Sequence, residues 1–287
     1  MKVREIEIIE NIKIGTGNPL LFIAGPCVIE SHEHVFFMAE KLKKIFADYN
    51  MPFIFKSSFD KANRSTVNSY RGPGIDEGLE ILVEIKKKYD IPILTDVHEI
   101  SHIEKVAEVA DIIQIPAFLC RQTDLLIEAG KTGKPVNIKK GQFMAPWNMI
   151  GLINKVRATN NSNIMVTERG VSFGYNNLVV DFRAFPIMRA TGFPVIFDAT
   201  HSLQLPGGQG DTTGGMSEYI PQLVRSAIAC GVDGVFMEIH DNPSKALCDG
   251  PNMLSLERLD KLLQQIKKIE EICDWRWFLC ILIMLKT

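Results

Sequence analysis

Cysteine is scarce and unpatterned in this chain, with 6 in 287 residues and no C-x-x-C pair. That excludes a disulfide framework and a structural zinc site of the usual spacing. Net charge is nearly absent too, at −2 from 32 Lys and Arg against 34 Asp and Glu. Nucleic acid or an anionic membrane would need a clustered basic surface, so neither is expected as a partner. The start, Met1-Lys2-Val3-Arg4-Glu5, alternates charge and lacks the apolar segment of a secretory signal. With the unpaired cysteines, this points to a reducing cytoplasm. The apolar run Phe278–Leu285 has eight residues, far short of the roughly 20 that span a bilayer. Two nucleotide signatures are missing as well. Gly207–Gly215 is glycine-rich but misses G-x-G-x-x-G and carries Asp211, and Gly130-Lys131-Thr132 lacks the glycine that opens a P-loop. The first reads better as a lid after a strand.

What the chain does contain is an alternation repeated eight times, with an apolar content of 46% that supplies a large core. Strand-like runs fall at Leu20–Ala24, Phe53–Phe59, Pro92–Val97, Ile112–Ala117, Val136–Lys140, Asn163–Thr167, Val195–Thr200 and Gly234–Ile239. All are short and β-branched on both faces, as parallel strands covered on two sides should be. Helical periodicity follows each run, over His34–Tyr49, Ile75–Tyr89, Ile103–Ala110, Asp124–Ala129, Asn148–Arg157, Asp181–Ala190, Ile220–Ala229 and Leu256–Glu271. Gly130, Gly192 and Gly231 sit where helices end, and Pro52, Pro92, Pro135 and Pro194 open strands. Eight β–α pairs predict an α/β fold of the (β/α)8 TIM-barrel type in one domain over 1–272, with residues 4–15 as an N-terminal β-hairpin plugging the barrel floor. An open doubly wound sheet is the alternative. Residues 273–287 form an atypical apolar tail.

In such a barrel the chemistry belongs at the C-terminal strand ends. That rim carries Cys27, Lys56, Lys61, Asn63, Arg64, Ser65, Asp96, Gln114, Ala117, Lys139, Arg169, His201, Glu238 and Asp249. Lys56, Lys61, Arg64, Lys139 and Arg169 would converge although the whole protein is slightly acidic. Together they call for a substrate set with two phosphates, or a phosphate plus a carboxylate. A thiol, an imidazole and two carboxylates (Cys27, His201, Glu238, Asp249) make a mixed donor set suited to zinc or ferrous iron rather than magnesium. Cys248 adjoins Asp249 but is expected to point elsewhere, while His98, His240 and Asp241 read as supporting hydrogen-bonding groups. For any one of the five cations alone, a surface salt bridge is the simpler reading.

The motifs Ala24-Gly25-Pro26-Cys27-Val28-Ile29-Glu30-Ser31, Phe55-Lys56-Ser57-Ser58-Phe59-Asp60-Lys61-Ala62-Asn63-Arg64-Ser65 and Tyr70-Arg71-Gly72-Pro73-Gly74 resemble the 3-deoxy-D-manno-octulosonate 8-phosphate synthases. So do Gln114-Ile115-Pro116-Ala117-Phe118-Leu119, Lys139-Lys140-Gly141-Gln142-Phe143, Thr167-Glu168-Arg169-Gly170, Phe173-Gly174-Tyr175-Asn176-Asn177 and Asp198-Ala199-Thr200-His201-Ser202. The likeness runs over about residues 5–272 and leaves the tail unmatched. It implies condensation of phosphoenolpyruvate with D-arabinose 5-phosphate and water, with release of phosphate, for the lipopolysaccharide core. It also implies a homo-oligomer, a tetramer in that family. Cys27, where another branch has Asn, places the chain with the metal-dependent members, which use one divalent ion (Fe, Zn or Mn).

The roles implied follow the motifs. Arg169, Lys139 and the Ala117 N–H hold the phosphate of phosphoenolpyruvate, with Pro116 and Asp96 lining the site. Lys56, Lys61 and Gln114 face its carboxylate. Asn63 meets sugar hydroxyls, Arg64 and Ser65 take the distal phosphate, and Arg121 reaches in from a neighbouring subunit. Lys56, Lys61, His201 and Asp249 are the catalytic set. The aromatic-pathway synthase that uses erythrose 4-phosphate carries Lys-Pro-Arg-Thr where this chain has Lys61-Ala62-Asn63-Arg64-Ser65, and remains an alternative. A non-catalytic phosphosugar-binding protein is another.

Overall fold

Every barrel strand of this protein sends alternate side chains to opposite faces, and both faces are buried for different reasons. The computed structural model describes residues 2–64, 66–209 and 212–273. Its barrel strands are β1 (Leu21–Gly25), β2 (Phe53–Lys56), β3 (Ile93–Asp96), β4 (Ile112–Ile115), β5 (Val136–Lys139), β6 (Ile164–Glu168), β7 (Val195–Asp198) and β8 (Gly234–His240). Each pairs in parallel with the next, and β8 pairs with both β7 and β1, which closes the ring. The helices are α1 (His32–Asp48), α2 (Ile75–Tyr89), α3 (Ile103–Val109), α4 (Thr123–Lys131), α5 (Met149–Arg157), α6 (Ala184–Arg189), α7 (Ile220–Ala229) and α8 (Leu256–Ile272).

The period of two decides what each face does. Outward residues such as Phe22, Phe55, Ile113, Ile138, Val166, Phe197 and Val235 share one buried cluster with the apolar stripes of the helices. Inward residues Leu21, Ile23, Ile54, Leu94, Ile112, Met165, Ile196 and Phe236 form a second cluster inside the barrel. Two residues further along most of these strands, the inward position turns polar: Lys56, Asp96, Gln114, Asp198 and Glu238. A register slip of one residue would exchange the two faces and bury charge against the helices.

Below the inner cluster lies the predicted hairpin, Ile6–Ile9 antiparallel to Ile12–Ile14. Its Ile6, Ile8 and Ile14 belong to the same cluster as the barrel interior, so it plugs the floor with apolar side chains. At the other end of β1, Gly25 allows a close approach. A Cβ there would lie 1.9 Å from the Lys56 carbonyl oxygen.

Several local expectations change. Gly130 does not end α4; it lies within the helix, where a Cβ would sit 2.6 Å from Thr159 Oγ1. The left-handed turn is made three residues later by Gly133, at φ +71°. The second strand stops at Lys56, beyond which Ser58 makes a single bridge to Val28. The glycine-rich segment forms a hairpin, Gln204–Gln209 against Thr212–Gly215. The apolar tail lies outside the described residues apart from Cys273. Among the described residues, no helix is long and apolar enough to cross a membrane.

If the floor plug carries stability rather than chemistry, removing its fully buried Ile14 side chain should tell. Ile14→Ala should cost about 2–4 kcal/mol in urea unfolding with little change in turnover. A loss below about 1 kcal/mol would mean that the hairpin is not part of the core.

Candidate active site

Glu238 and Lys56 are each 1% exposed, and they face each other at the C-terminal end of the barrel. Lys56 Nζ lies 2.7 Å from Glu238 Oε1 and also donates to the Cys27 carbonyl at 2.7 Å. Lys61 Nζ approaches the same carboxylate oxygen at 3.4 Å. The other oxygen, Oε2, stands 3.4 Å from His201 Nε2. Burial alone would raise the Glu238 pKa, but His201, Lys56, Lys61 and Lys139 outweigh it and hold the carboxyl well below its usual range. Burial would likewise lower Lys61, yet the neighbouring Cys27 sulfur and the carboxylates of Glu238 and Asp96 keep it well above the usual lysine value.

Asp198, at the end of β7, is a second anionic hub. Lys139 Nζ donates to its Oδ2 at 2.6 Å, and His201 Nδ1 lies 2.8 Å from the same atom. Its Oδ1 accepts from the His201 and Thr200 backbone N–H groups and from the Thr200 hydroxyl. Burial would raise this carboxyl, but His201 and Lys139 hold it far below the usual range. For Lys139 burial wins: its pKa is lowered despite Asp198 and Glu238. Its ammonium also sits 3.6 Å from the centre of the Phe236 ring. A carboxylate that accepts a hydrogen bond from Nδ1–H fixes the orientation of an imidazole ring and presents its Nε2 to the site. Here Nε2 faces Glu238 and Asp249, the latter 4.0 Å away.

The predicted metal donors come together. Cys27 Sγ lies 3.6 Å from Asp249 Oδ2, and His201, Glu238 and Asp249 form a compact group that shares Asp249 with Cys27. Such separations are those of neighbouring ligands around one ion with bonds of about 2.0–2.3 Å. The lysines occupy only Oε1 of Glu238, so Oε2 stays on the side of the donors. Asp249 holds the left-handed region at φ +51°, a cost of about 1–3 kcal/mol that tends to accompany functional sites. The donor set therefore fits a divalent transition-metal ion. Without a cation, burial and the neighbouring Cys248 and Glu238 push the Cys27 thiol well above its usual pKa, so ion binding here entails proton release.

Other predicted residues are placed as follows. Arg169 is 5% exposed; its Nη2 donates to Gln204 Oε1 at 2.5 Å while Nη1 is buried without a partner. Asp96 accepts from Ser58 Oγ and pairs with His98 Nε2 at 2.9 Å, and these contacts with Lys61 and Lys56 overcome burial to hold it ionised. Gln114 Oε1 accepts from Asn137 Nδ2 at 3.0 Å, and Asn137 is held in turn by Thr167. Pro116 and Ala117 are half-buried at the head of a short 3-10 turn after β4. Arg64 Nη1 contacts Cys248 Sγ at 2.7 Å and Asp249 Oδ1 at 3.9 Å. Asn63 and Arg121 are exposed, and Ser65 lies outside the described residues.

Two expectations change on this geometry. The rim lysines are not without anionic partners of their own, because Glu238 pairs with Lys56 and Lys61 and Asp198 with Lys139, which offsets their charge in part. Cys248 does not point away: its sulfur lies 3.1 Å from Cys27 Sγ, turned inward by the left-handed Asp249. Asp198 lies in a sequence motif that by itself gives it no role; the signal for one is its position two residues beyond inward-facing Ile196. His240 pairs with Glu30 and Asp241, and the Glu30 carboxylate accepts from Leu247 N, which anchors the loop carrying Asp249.

Likeness to known proteins covers nearly the whole chain. The DAHP synthetase I family matches residues 3–274. The 2-dehydro-3-deoxyphosphooctonate aldolase of Trichlorobacter lovleyi is 56% identical over 264 residues, which is 92% of this chain and 97% of that protein. The protein of the same name from Geotalea daltonii is 56% identical over 270 residues, covering 94% and 99%. That from Desulfatibacillum aliphaticivorans is 57% identical over 261 residues, covering 91% and 96%. With its barrel, rim and near-full-length likeness in agreement, the chain belongs to the DAHP synthetase I family.

Proposed function

We propose that this protein condenses phosphoenolpyruvate with D-arabinose 5-phosphate and water to give 3-deoxy-D-manno-octulosonate 8-phosphate and phosphate. The observation that carries the reading is the buried cationic rim beside a Cys/His/Glu/Asp donor set, in a chain sharing over half its residues with relatives named for that product. The family's name points to the erythrose 4-phosphate reaction, but those relatives favour the octulosonate.

The chemistry needs two anionic ends held so that the alkene lies over the aldehyde. Arg169, whose buried Nη1 lacks a partner, has the fork that a phosphate requires, and Lys139 stands with it beside Asp198. Lys56, Lys61 and Gln114 face the carboxylate. Asn63, Arg64 and Ser65 meet the sugar and its distal phosphate, with Pro116, Ala117 and Asp96 completing the walls. C3 of the enol attacks the aldehyde carbon, water adds at C2, and phosphate leaves with C–O cleavage. The ammonium groups are fixed before substrate arrives by Glu238 and Asp198, so they cost little reorganisation during reaction. When bound by Cys27, His201, Glu238 and Asp249, a divalent ion (Fe, Zn or Mn) supplies Lewis acidity toward the aldehyde oxygen and toward water.

The catalytic unit is read as residues 1–272, cytoplasmic in keeping with the free thiols of the described residues, and assembled as a homotetramer. Exposed Phe118, Phe143 and Trp147 on loops after β4 and β5 support a self-association face near Arg121. Sedimentation as a monomer at micromolar concentration would remove that part.

Arg169→Ala should lower kcat/KM for phosphoenolpyruvate by at least about 100-fold, an interaction loss near 3 kcal/mol, at unchanged fold. Near wild-type turnover at low phosphoenolpyruvate would sink the assignment. Phosphate release should be faster with arabinose 5-phosphate than with erythrose 4-phosphate, stop in excess chelator and return with Mn²⁺, Zn²⁺ or Fe²⁺. Faster use of erythrose 4-phosphate would select the aromatic-pathway reaction. Binding without any phosphate release would leave only a phosphosugar-binding protein.

A further inference from the structure

One group of metal-donor side chains shares no residue with the rim site: Glu30, His34 and His240. Glu30 follows β1, His34 stands in the first turn of α1, and His240 ends β8. Each brings a donor atom within 4.8 Å of the other two. The side chains of His240, Glu30 and His34 are 4%, 12% and 18% exposed, so they are mostly withdrawn from water.

Asp241 stands behind both imidazoles. Its Oδ1 lies 3.0 Å from His34 Nε2 and 3.0 Å from His240 Nδ1. Burial works against its charge, but His34, His240 and the Asn242 N–H hold the carboxyl below its usual range. The two rings lie over one another, with centroids 4.4 Å apart. A carboxylate held by one imidazole nitrogen is the common outer partner of a histidine whose other nitrogen binds a metal. Here those other nitrogens are His34 Nδ1 and His240 Nε2. The first is buried with no hydrogen-bond partner. The second stands 3.4 Å from Glu30 Oε2, which is longer than the roughly 2.9–3.0 Å of a good N–H···O bond.

A plain hydrogen-bond network accounts for part of this, since Asn242 N donates to His240 Nδ1 at 2.9 Å. It leaves His34 Nδ1 with nothing to bind, and a buried nitrogen without a partner needs an explanation. We propose that Glu30, His34 and His240 form a second site for a divalent transition-metal ion of the zinc class. The donors are Glu30 Oε2, His34 Nδ1 and His240 Nε2, with water completing the shell. As the ion binds, the His240 proton passes from Nε2 to Nδ1 and is held by Asp241, while the Asn242 N–H turns to the same carboxylate. No net proton is released. Two imidazoles and a carboxylate suit zinc and its neighbours rather than magnesium. The ion ties α1 to the loop after β8 through the same Glu30 whose Oε1 accepts from Leu247 N.

Cobalt titration of chelator-stripped protein tests this without any turnover. An ion bound through Cys27 carries sulfur-to-cobalt charge-transfer absorption, whereas one bound here has only nitrogen and oxygen ligands. The unaltered protein should therefore take up a sulfur-free equivalent, confirmed by elemental analysis. Both His34→Ala and His34→Gln should weaken that equivalent about tenfold or more, at least the loss expected from removing an outer partner, and leave the sulfur-bound one unchanged. Absence of a sulfur-free equivalent in the unaltered protein, or its undiminished affinity in both variants, would overturn the proposal. A sulfur-free equivalent without a sulfur-bound one would support this site and remove Cys27 from the rim donors.

Discussion

A carboxylate at 1% exposure inside a protein is tolerable only while its charge is answered, and Glu238 is answered three times, by Lys56, Lys61 and His201. Isolated, it would cost several kcal/mol. The same holds for Asp198 beneath Lys139 and His201. Because His201 touches both hubs, the rim is one electrostatic unit rather than a set of separate pairs. The barrel supplies its rigidity: short strands, locked in register around a closed ring, place these groups from strands far apart in sequence.

This arrangement has a chemical consequence. Glu238 offers one oxygen to the lysines and the other to the donor group, so it links the substrate-facing cations to the ion-binding side. Asp198 does the same through Lys139 and the orientation of the His201 ring. Anion binding and ion binding are therefore not independent. A substrate anion that draws Lys56 or Lys139 toward itself alters the field at the metal donors within about 4 Å, where buried charges are weakly screened.

Much of this was legible because period two in eight short apolar runs both identifies the strands and selects which residues face inward. Lys56, Asp96, Gln114 and Glu238 follow from that parity alone. Their partners do not. That Asp198 would hold Lys139 depends on β5 and β7 both pairing with β6 and turning these side chains into the same barrel mouth, which no local pattern encodes. An ordinary backbone would turn Cys248 away, and the left-handed φ of Asp249 with the Glu30 anchor accompanies its inward position. Gly130 is equally opaque to a local pattern: its smallness serves helix contact with Thr159 rather than a turn.

The central claim is that the rim charges stabilise one another as a unit, and a double-mutant cycle on Lys56 and Glu238 tests it most directly. Unfolding free energies would be measured for the unaltered protein, Lys56→Met, Glu238→Gln and the pair together. Each single change should cost about 3–5 kcal/mol, because each leaves a buried charge without its partner. The double variant should cost less than their sum by more than about 1 kcal/mol. Additivity within about 0.5 kcal/mol would show that the two side chains are energetically independent and would contradict the account.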